Sequence, residues 1–454
     1  MNSHDLSSLR TAARGAVLGP SDAGFESAHT GFNLAERHAP DVVVCAEDAA
    51  DVGVAVRCAA DHGLPVRVQA TGHSMGIPMD GGVLVNTAAM TALTLDPASR
   101  SVRVAAGTRW SAVLAAAAPH GLAPLCGSSP TVGVVGYTLG GGMGPMARTY
   151  GFASDHVRSL QLTDVTGRAI TVDAEREPDL FWALRGGKPA LGVVTELEIG
   201  LMEQPTYYGG SIFYPGESAD TVLRCWAAWT ATVPDAVTTS IALLRLPDVP
   251  QVPEPLRGRL SVQLRYVHTG SQADAEEVLA PMRAVVAPVV DLVGPSPIDA
   301  IPSVHQDPTD PMPARDEGML LGALPSEAID ALLAAAGPDA EVPLIIVELR
   351  LMGGALAADS QHDSAVGGRT GAFNLCVIGP YPPPLRDAVD AASEAVLDAV
   401  RPWAADESLV NFLGYATAPE RVRAAWRPEV RERLDTVQQA WDPDGVFRFS
   451  HPVG

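Results

Sequence analysis

The residues whose types and spacing could best support binding or catalysis come directly after a predicted strand. They are Gln69, Ala70, Thr71, Gly72, His73, Ser74 and Met75. Small residues after a strand let backbone N–H groups turn toward one point, where they can hold an anion such as a pyrophosphate. The same letters match G-x-S-x-G, the nucleophile elbow of α/β-hydrolases, with Ser74 as nucleophile and His451 as base. That elbow needs a helix directly after the serine, and Pro78 disfavours one, so an esterase is kept only as the alternative.

A second segment, residues 129–144, interleaves glycines with valine, leucine and methionine. A flexible linker would be rich in Gly and Ser without apolar residues, so this segment is expected to be buried. Glycines remove side chains where a large flat ligand lies against the backbone, although a tight structural turn is the alternative. The residues singled out here are Ser129, Val132, Gly133, Gly136, Tyr137, Gly140 and Gly141.

A third segment, residues 179–187, reads as a short helix that ends in Arg185 and a pair of glycines. By itself this is ordinary chemistry for a helix end. It leads into Val194, in a strand predicted over residues 193–199. The order and spacing of the three segments are therefore more specific than any one of them.

Together the three segments resemble the FAD-binding domain of the vanillyl-alcohol oxidase superfamily, which has PCMH-type domains, and most closely its berberine-bridge-enzyme-like branch. The resemblance covers roughly residues 36–200 and, more weakly, 408–450. It implies that residues 69–75 hold the FAD pyrophosphate and that His73 is bonded covalently to a ring methyl of the flavin. A neutral imidazole is a competent nucleophile for such a bond.

Departures from the family pattern refine what the resemblance implies. Many relatives carry a second flavin link through a cysteine where this chain has Ser129, so one covalent bond is expected. Val132 occupies the position whose small side chain lets oxygen reach the flavin in oxidases. Gln69 replaces the usual arginine, and Tyr137 stands where relatives have His or Asn near the ribityl chain. Asn411 resembles part of the segment that returns to the flavin domain, but the catalytic tyrosine often found near there is missing.

The catalytic base is left unassigned. Glu348 and Arg350 are two residues apart in a predicted strand, so both side chains lie on one face, either as a flavin-facing polar pair or as an exposed ion pair. These two residues and Tyr137 are the candidates. Further proton acceptors without positional support are Tyr207, Tyr266, Tyr415 and His362.

Composition excludes several classes of partner. The chain has 454 residues with 31 Lys and Arg against 53 Asp and Glu, a formal charge of −22, which repels nucleic acid and anionic lipid. No apolar run reaches the ~18 residues of a membrane span, and no export signal is seen, so a cytoplasmic location is expected. The five cysteines are expected to be reduced thiols, and no metal motif is present.

The predicted fold is α+β in two domains. An FAD-binding domain is expected from residues 1–205, with its core at about 36–200, and residues 406–454 are expected to return to it. Residues 206–405 are predicted to form an inserted substrate domain, an antiparallel sheet covered by helices, with the substrate pocket between the domains. The expected function is oxidation of an alcohol, hemiacetal or activated C–H of a small metabolite, with O2 as final acceptor, in natural-product tailoring. A flavin-bound protein that has lost redox turnover is a further alternative.

Overall fold

The computed structural model describes residues 3–74, 77–188, 191–357, 363–414 and 419–447. Its helices are α1 (Ser3–Ala12), α2 (Phe25–His29), α3 (Ala49–Asp61), α4 (Trp110–Ala117), α5 (Val134–Leu139), α6 (Ala147–Tyr150), α7 (Pro178–Leu184), α8 (Ala219–Thr230), α9 (Gln272–Val285), α10 (Ser326–Ala336), α11 (Arg386–Val400), α12 (Pro419–Arg423) and α13 (Pro428–Trp441). Its strands up to residue 203 are β1 (Val17–Leu18), β2 (Val42–Cys45), β3 (Val66–Gln69), β4 (Val83–Asn86), β5 (Leu93–Asp96), β6 (Ser101–Ala105), β7 (Leu122–Ala123), β8 (Val157–Thr163), β9 (Ala169–Asp173), β10 (Val193–Gly200) and β11 (Met202–Glu203). The later strands are β12 (Thr206–Pro215), β13 (Val237–Arg245), β14 (Leu260–His268), β15 (Val290–Asp291), β16 (Gly294–Pro297), β17 (Ala314–Leu321), β18 (Ile346–Leu351) and β19 (Phe373–Pro380).

The first sheet has four strands in the order β1-β2-β4-β3, and β2, β4 and β3 run parallel. Helix α3 connects β2 to β3, which is the usual crossover between parallel strands. It begins at the cap residue Asp48, whose side chain accepts hydrogen bonds from the N–H groups of Ala50 and Asp51. Its apolar side, including Val52 and Val56, packs into the core beneath the sheet. The strand–helix–strand unit predicted over residues 41–69 is confirmed.

The second sheet is antiparallel, with five strands in the order β5-β6-β10-β8-β9. Its two predicted hairpins are confirmed, because β5 pairs with β6 and β8 pairs with β9. Helices α4, α5 and α7 contribute to the core that includes this sheet, with Trp110 fully buried at the start of α4. The loop after β3 and the glycine-rich segment are therefore carried by two packed sheets.

The third sheet has eight strands and is antiparallel throughout. Seven follow the order β15-β12-β14-β13-β18-β19-β17, and β16 pairs with β12 as well. Apolar side chains on one face, such as Ile241 and Leu264, pack with residues of α8, α9, α10 and α11 in a single core. The neighbouring positions Ser240 and Arg265 are opposite each other in the register and point to the other face. One face of this sheet is thus apolar and covered by helices, and the other carries polar side chains.

Arg148 of α6 joins the segment after the glycine-rich stretch to the third sheet. Its guanidinium is buried, and it donates hydrogen bonds to the carbonyl oxygens of Met352 (2.9 Å) and Val237 (2.6 Å). Asp155 and Arg369 form a second buried link between the same regions. These contacts set the position of residues 142–157 above the polar face of the sheet.

The fold class predicted from the sequence is confirmed, and the local predictions needed two corrections. The polar helix predicted over about 419–440 is two helices, because Pro428 lacks an N–H and begins a new helix after a turn. The proline-rich stretch 295–313, predicted as loop, contains most of strand β16 and a 3₁₀ turn, Ile298–Val304. The predicted domain boundaries at residues 205 and 405 stay predictions.

Three further observations concern the described residues alone. None of the five cysteines, all of which lie in these ranges, forms a disulfide bond. Within these ranges no group of three or more His, Cys, Asp or Glu side chains is arranged to hold a metal ion. Nor does any helix there have the length and apolar character required to cross a bilayer.

Candidate active site

Backbone contacts hold the loop after β3 against an earlier part of the chain. The N–H of Phe32 donates to the carbonyl of Thr71 (2.9 Å), and the N–H of Asn33 donates to that of Gly72 (3.0 Å). Gly72 has a φ of 66°, and a Cβ on the facing Gly31 would lie 2.7 Å from the Gly72 Cα, so only glycine fits both positions. The loop is therefore fixed by main-chain geometry before any ligand is considered.

His73 lies in this loop between an aromatic ring and a pair of hydroxyls. Its imidazole stacks on Phe32 with 3.8 Å between ring centroids and 13° between ring planes. Its Nε2 is 2.9 Å from the Thr131 Oγ1, which is 2.9 Å from the Ser129 Oγ. Burial, together with the nearby Arg109 guanidinium, lowers the pKa of His73 to about 4. The imidazole is therefore neutral at pH 7, with Nε2 engaged.

The glycine-rich segment lies beside the same loop. A Cβ placed on Gly133, which precedes α5, would be 3.6 Å from the Thr71 side chain and 3.8 Å from that of Ala70. Gly136, inside α5, is exposed, and a Cβ placed there would meet nothing within 4 Å. The two motifs, far apart in the chain, thus form adjoining walls of one site with few side chains.

Asn411 ties the returning C-terminal segment to the end of α5. Its Nδ2 donates to the Tyr137 carbonyl (2.8 Å), and its Oδ1 accepts from the Lys188 Nζ (3.2 Å). Gly140 leaves the space that the Asn411 amide fills, and Gly141 has a φ of 97°. Burial lowers the pKa of Lys188 to about 8. Lys188 was missed from the sequence, although it directly follows the Arg-Gly-Gly end of the third segment.

Tyr137 is a neutral phenol in this structure. Its hydroxyl is buried, without a hydrogen-bond partner among the described residues, and its ring meets Trp110 edge-on at 5.6 Å. Burial raises the pKa of Tyr137 well above its usual value. It can donate a hydrogen bond to a ligand, but it is not a proton acceptor at neutral pH.

Glu348 and Arg350 lie together on the polar face of the third sheet, joined by Arg265. The Glu348 Oε1 accepts from the Ser240 hydroxyl (2.6 Å) and from the Arg265 guanidinium, and its Oε2 accepts from the Arg350 Nε (2.9 Å). These partners hold the pKa of the Glu348 carboxyl far below its ordinary range despite its burial. A carboxylate so fully occupied cannot accept a substrate proton, which disfavours Glu348 as the catalytic base.

A small cavity separates this sheet face from the segment after α5. Met143 and Gly144 line one side of it, and Ser240, Arg265 and Arg350 line the other. His305, just after the 3₁₀ turn, also lines it. Its Nδ1 is buried without a partner among the described residues, and its Nε2 is 3.9 Å from the Glu348 Oε1. Burial and the two guanidiniums lower the pKa of His305 well below its usual value.

Several other predicted residues lie away from this cavity or face away from it. The hydroxyls of Tyr207 and Tyr266 donate to the carbonyls of Ala300 and Ala275, each at 3.0 Å. Val194 is buried in β10, Val132 is half-buried, and Ser74 is exposed. The predictions for Met75, His362, Tyr415 and His451 lie outside the described residues.

Arg265, Ser240, His305 and Phe32 were not singled out from the sequence. A signal for Arg265 existed, because Gln263 and Arg265 show the same spacing of two within a predicted strand as Glu348 and Arg350. Their meeting depends on sheet register, in which Ser240 lies opposite both Arg265 and Arg350. Nothing in the local sequence of Phe32 marks it as a stacking partner.

Residues 40–173 match a known family described as FAD binding domain. A curated relative, (R)-6-hydroxynicotine oxidase of Paenarthrobacter nicotinovorans, is 30% identical over 194 residues, which cover 42% of this chain and 42% of that relative. Alignments with the first three curated relatives span 32% to 67% of those proteins.

Solved structures match the chain almost end to end. One is 6-hydroxy-D-nicotine oxidase of Arthrobacter nicotinovorans, with a TM-score of 0.85, 23% identity and coverage of 97% of this chain and 98% of that one. Another is glucooligosaccharide oxidase of Acremonium strictum, described with a 6-S-cysteinyl, 8α-N1-histidyl FAD, with a TM-score of 0.85, 19% identity and 97% coverage of both chains. A berberine-bridge-enzyme-like protein of Physcomitrella patens has a TM-score of 0.84, with 20% identity and 99% coverage of both chains.

Residues 40–173 thus match an FAD-binding domain, and the whole chain shares its fold with the solved oxidases named above. The resemblance drawn from the sequence is confirmed. The comparisons give no support to the hydrolase alternative, and residues 77–82 form no helix before β4 begins at Val83, whereas the nucleophile elbow needs one.

The residues of the site fit an FAD. The exposed Gly136 and the close-packed Gly133 leave a backbone surface against which a flat ring can lie. The buried Oε1 of Gln69 has no partner among the described residues and can accept a hydrogen bond from a ligand. The neutral imidazole of His73 is a nucleophile without need of further deprotonation.

Proposed function

We propose that this protein is an FAD-dependent oxidoreductase, specifically an oxidase, that carries its FAD on a single covalent bond to His73. The observation that carries the proposal is the neutral His73 imidazole, ordered by Phe32 and Thr131, at the edge of a glycine-built surface inside an FAD-binding domain. Two groups of residues are proposed to hold the nucleotide. The first is the loop after β3, with Gln69, Ala70, Thr71, Gly72, Ser74 and Met75. The second is the glycine-rich segment with two later residues: Ser129, Val132, Gly133, Gly136, Tyr137, Gly140, Gly141, Val194 and Asn411.

The contacts of His73 support one attachment atom. Thr131 occupies Nε2, which leaves Nδ1 as the nitrogen available for bonding. The glucooligosaccharide oxidase is described with an 8α-N1-histidyl link, which also uses the nitrogen nearer the side-chain stem, together with a cysteinyl link. Here Ser129 binds Thr131 and cannot form a thioether. A single bond through His73 Nδ1 follows.

When bound, FAD would supply a hydride acceptor for an alcohol, hemiacetal or activated C–H of a small metabolite, with O2 as the final electron acceptor. The residues of this chain would bind and orient that metabolite in the cavity between Met143 and the polar face of the third sheet. The buried walls of the cavity exclude water, which strengthens each polar contact inside it.

Acid precipitation tests the covalent bond. The purified protein should be yellow, keep its colour in the pellet, and show the mass of the chain plus one FAD. His73→Ala should give a colourless pellet, and Ser129→Ala, which keeps the imidazole, should still give a yellow one. Release of all colour from the wild type into the supernatant would disprove the covalent bond.

Turnover is tested separately. Anaerobic mixing with candidate alcohols should bleach the long-wavelength flavin band, and admission of air should restore it. A flavin that no substrate panel reduces would favour the alternative of a flavin-bound protein without redox turnover. Val132→Leu should slow reoxidation by O2 and leave the bleaching step unchanged if the small side chain admits oxygen.

A further inference from the structure

The polar face of the third sheet holds an unbalanced buried charge. Arg265 and Arg350 share one carboxylate, Glu348, so the three side chains together carry a charge of +1. The side chains of Arg265 and Glu348 are only 4% and 2% exposed, and that of Arg350 is 16% exposed. A buried charge that no partner compensates is unfavourable, so an opposite charge is expected in the bound state.

No other described group supplies that opposite charge. Among the residues the structure covers, neither guanidinium forms a further ion pair within 4.0 Å. Asp307 attracts Arg350 from a longer distance only. Cys376 lies beside Glu348 across the strand pair, but burial raises its thiol pKa, so it is uncharged. His305 is neutral for the reasons given above.

Buried polar atoms without partners line the cavity beside this charge. The Nε of Arg265 is buried and donates to no described group, and the same holds for the Nδ1 of His305. Both residues line the cavity, as do the apolar side chains of Met143 and Val304. An anion with an apolar body would therefore find an unused Arg265 donor and a positive charge at one end and apolar contacts at the other.

We propose that the cavity recognises a substrate bearing one carboxylate, held by Arg265 and Arg350. Glu348 positions the two guanidiniums. Its carboxylate and the two guanidiniums together carry a net charge of +1, so a monoanion is preferred. The role as substrate rests on the proposed function, whereas the carboxylate preference rests on the charge alone. The chain as a whole has a net charge of −22 and repels anions. The positive charge in the cavity therefore gives an acid a binding site that most of the protein surface lacks.

Calorimetry on the purified flavin-containing protein tests the preference without requiring turnover. The probes are acetate, benzoate and phenylacetate, each matched with its neutral amide. At least one acid should bind roughly tenfold or more tightly than its amide, which is the scale of a charge-assisted contact. The proposal is overturned if no acid binds more tightly than its amide. It is also overturned if potassium chloride raises the unfolding temperature of the protein and no acid does.

Paired substitutions separate charge from packing. Arg265→Gln lowers the net charge to zero and should abolish the preference for the acid, whereas Arg265→Lys should retain it. Glu348→Gln raises the net charge to +2 and should strengthen acid binding, whereas a merely structural role predicts weaker binding. If Glu348→Gln does not fold, Arg350→Gln, expected to weaken acid binding, takes its place against Arg265→Lys. Equal affinity for acid and amide in Arg265→Lys, or an unchanged acid preference in Arg265→Gln, would refute the proposal.

The outcomes remain separable from the proposed function. Acid binding with no flavin reduction by any substrate would support the carboxylate site and count against the oxidase. Flavin reduction by neutral alcohols, with no acid preference in calorimetry, would support the oxidase and overturn the carboxylate site.

Discussion

The two walls of the candidate active site are built by opposite means. The flavin side uses backbone and glycine, with one neutral imidazole held between Phe32 and Thr131. The substrate side uses long charged side chains, with two guanidiniums around Glu348 on neighbouring strands. A large flat cofactor needs space and fixed N–H groups, while a small substrate needs a few directed side chains. The difference follows from what each wall is proposed to bind.

The two walls should also respond differently to substitution. A site made of backbone is sensitive to added atoms, because there is no side chain to move aside. A site made of buried charges is sensitive to removed atoms, because each partner left behind loses its compensation. The following substitutions test this contrast.

Glu348→Ala should have the largest effect on stability. It leaves two buried guanidiniums without their carboxylate, and removal of one partner of a buried ion pair typically costs about 3–5 kcal/mol. Urea unfolding followed by tryptophan fluorescence measures the loss. The double variant Glu348→Ala with Arg265→Met should lose less, because it buries one charge fewer. An unchanged urea midpoint for Glu348→Ala would contradict the burial of the cluster.

Gly72→Ala should cost roughly 1–3 kcal/mol, because Gly72 has a φ of 66° and its new Cβ would collide with Gly31. Gly136→Ala is the matched control, since its Cβ meets nothing and alanine favours the helix α5 by roughly 0.5–1 kcal/mol. Thermal unfolding compares the two.

If the flavin lies on this surface, Gly136→Ala should nevertheless reduce the flavin retained after acid precipitation. Equal retention in Gly136→Ala and wild type would remove Gly136 from the cofactor site.

The third prediction concerns the dependence of stability on pH. His73 has a pKa of about 4 in the folded protein and 6.5 as its ordinary value, so the unfolded chain takes up the proton first as pH falls. Its contribution to stability is therefore complete above pH 6.5 and is lost as pH falls toward 4. In flavin-free protein, His73→Asn should flatten this part of the pH–stability curve relative to wild type. An identical slope in both proteins would place a charged or exposed imidazole at this position.

Much of the flavin side could be predicted because its information is local. Asp48 before an apolar stripe, the apolar run of β2, and the glycines of residues 129–144 each specify their own conformation. The predicted helices of the second half were recognised for the same reason, since their apolar faces repeat with the helical period. The split between α12 and α13 was missed although Pro428 marks it, because the apolar pattern continues across the turn.

The substrate side could be predicted only in part. The spacing of Glu348 and Arg350 placed both on one strand face, but their meeting with Arg265, 83 residues before Glu348, depends on the register of three strands. Period-two alternation states which face a residue takes and not which strand lies beside it. The same limit hid Phe32, which reaches His73 through a loop 41 positions earlier in the sequence.

The amino-acid sequence by itself determined the local backbone on the flavin side, because small residues after strands constrain the chain wherever they occur, and the class of ligand was what the resemblance of these motifs to a family implied. Tertiary structure alone decided the ionisation of His73 and the net charge of the substrate wall. Both depend on burial and on which distant side chains come within a few ångströms, and these quantities exist only once the sheets have packed.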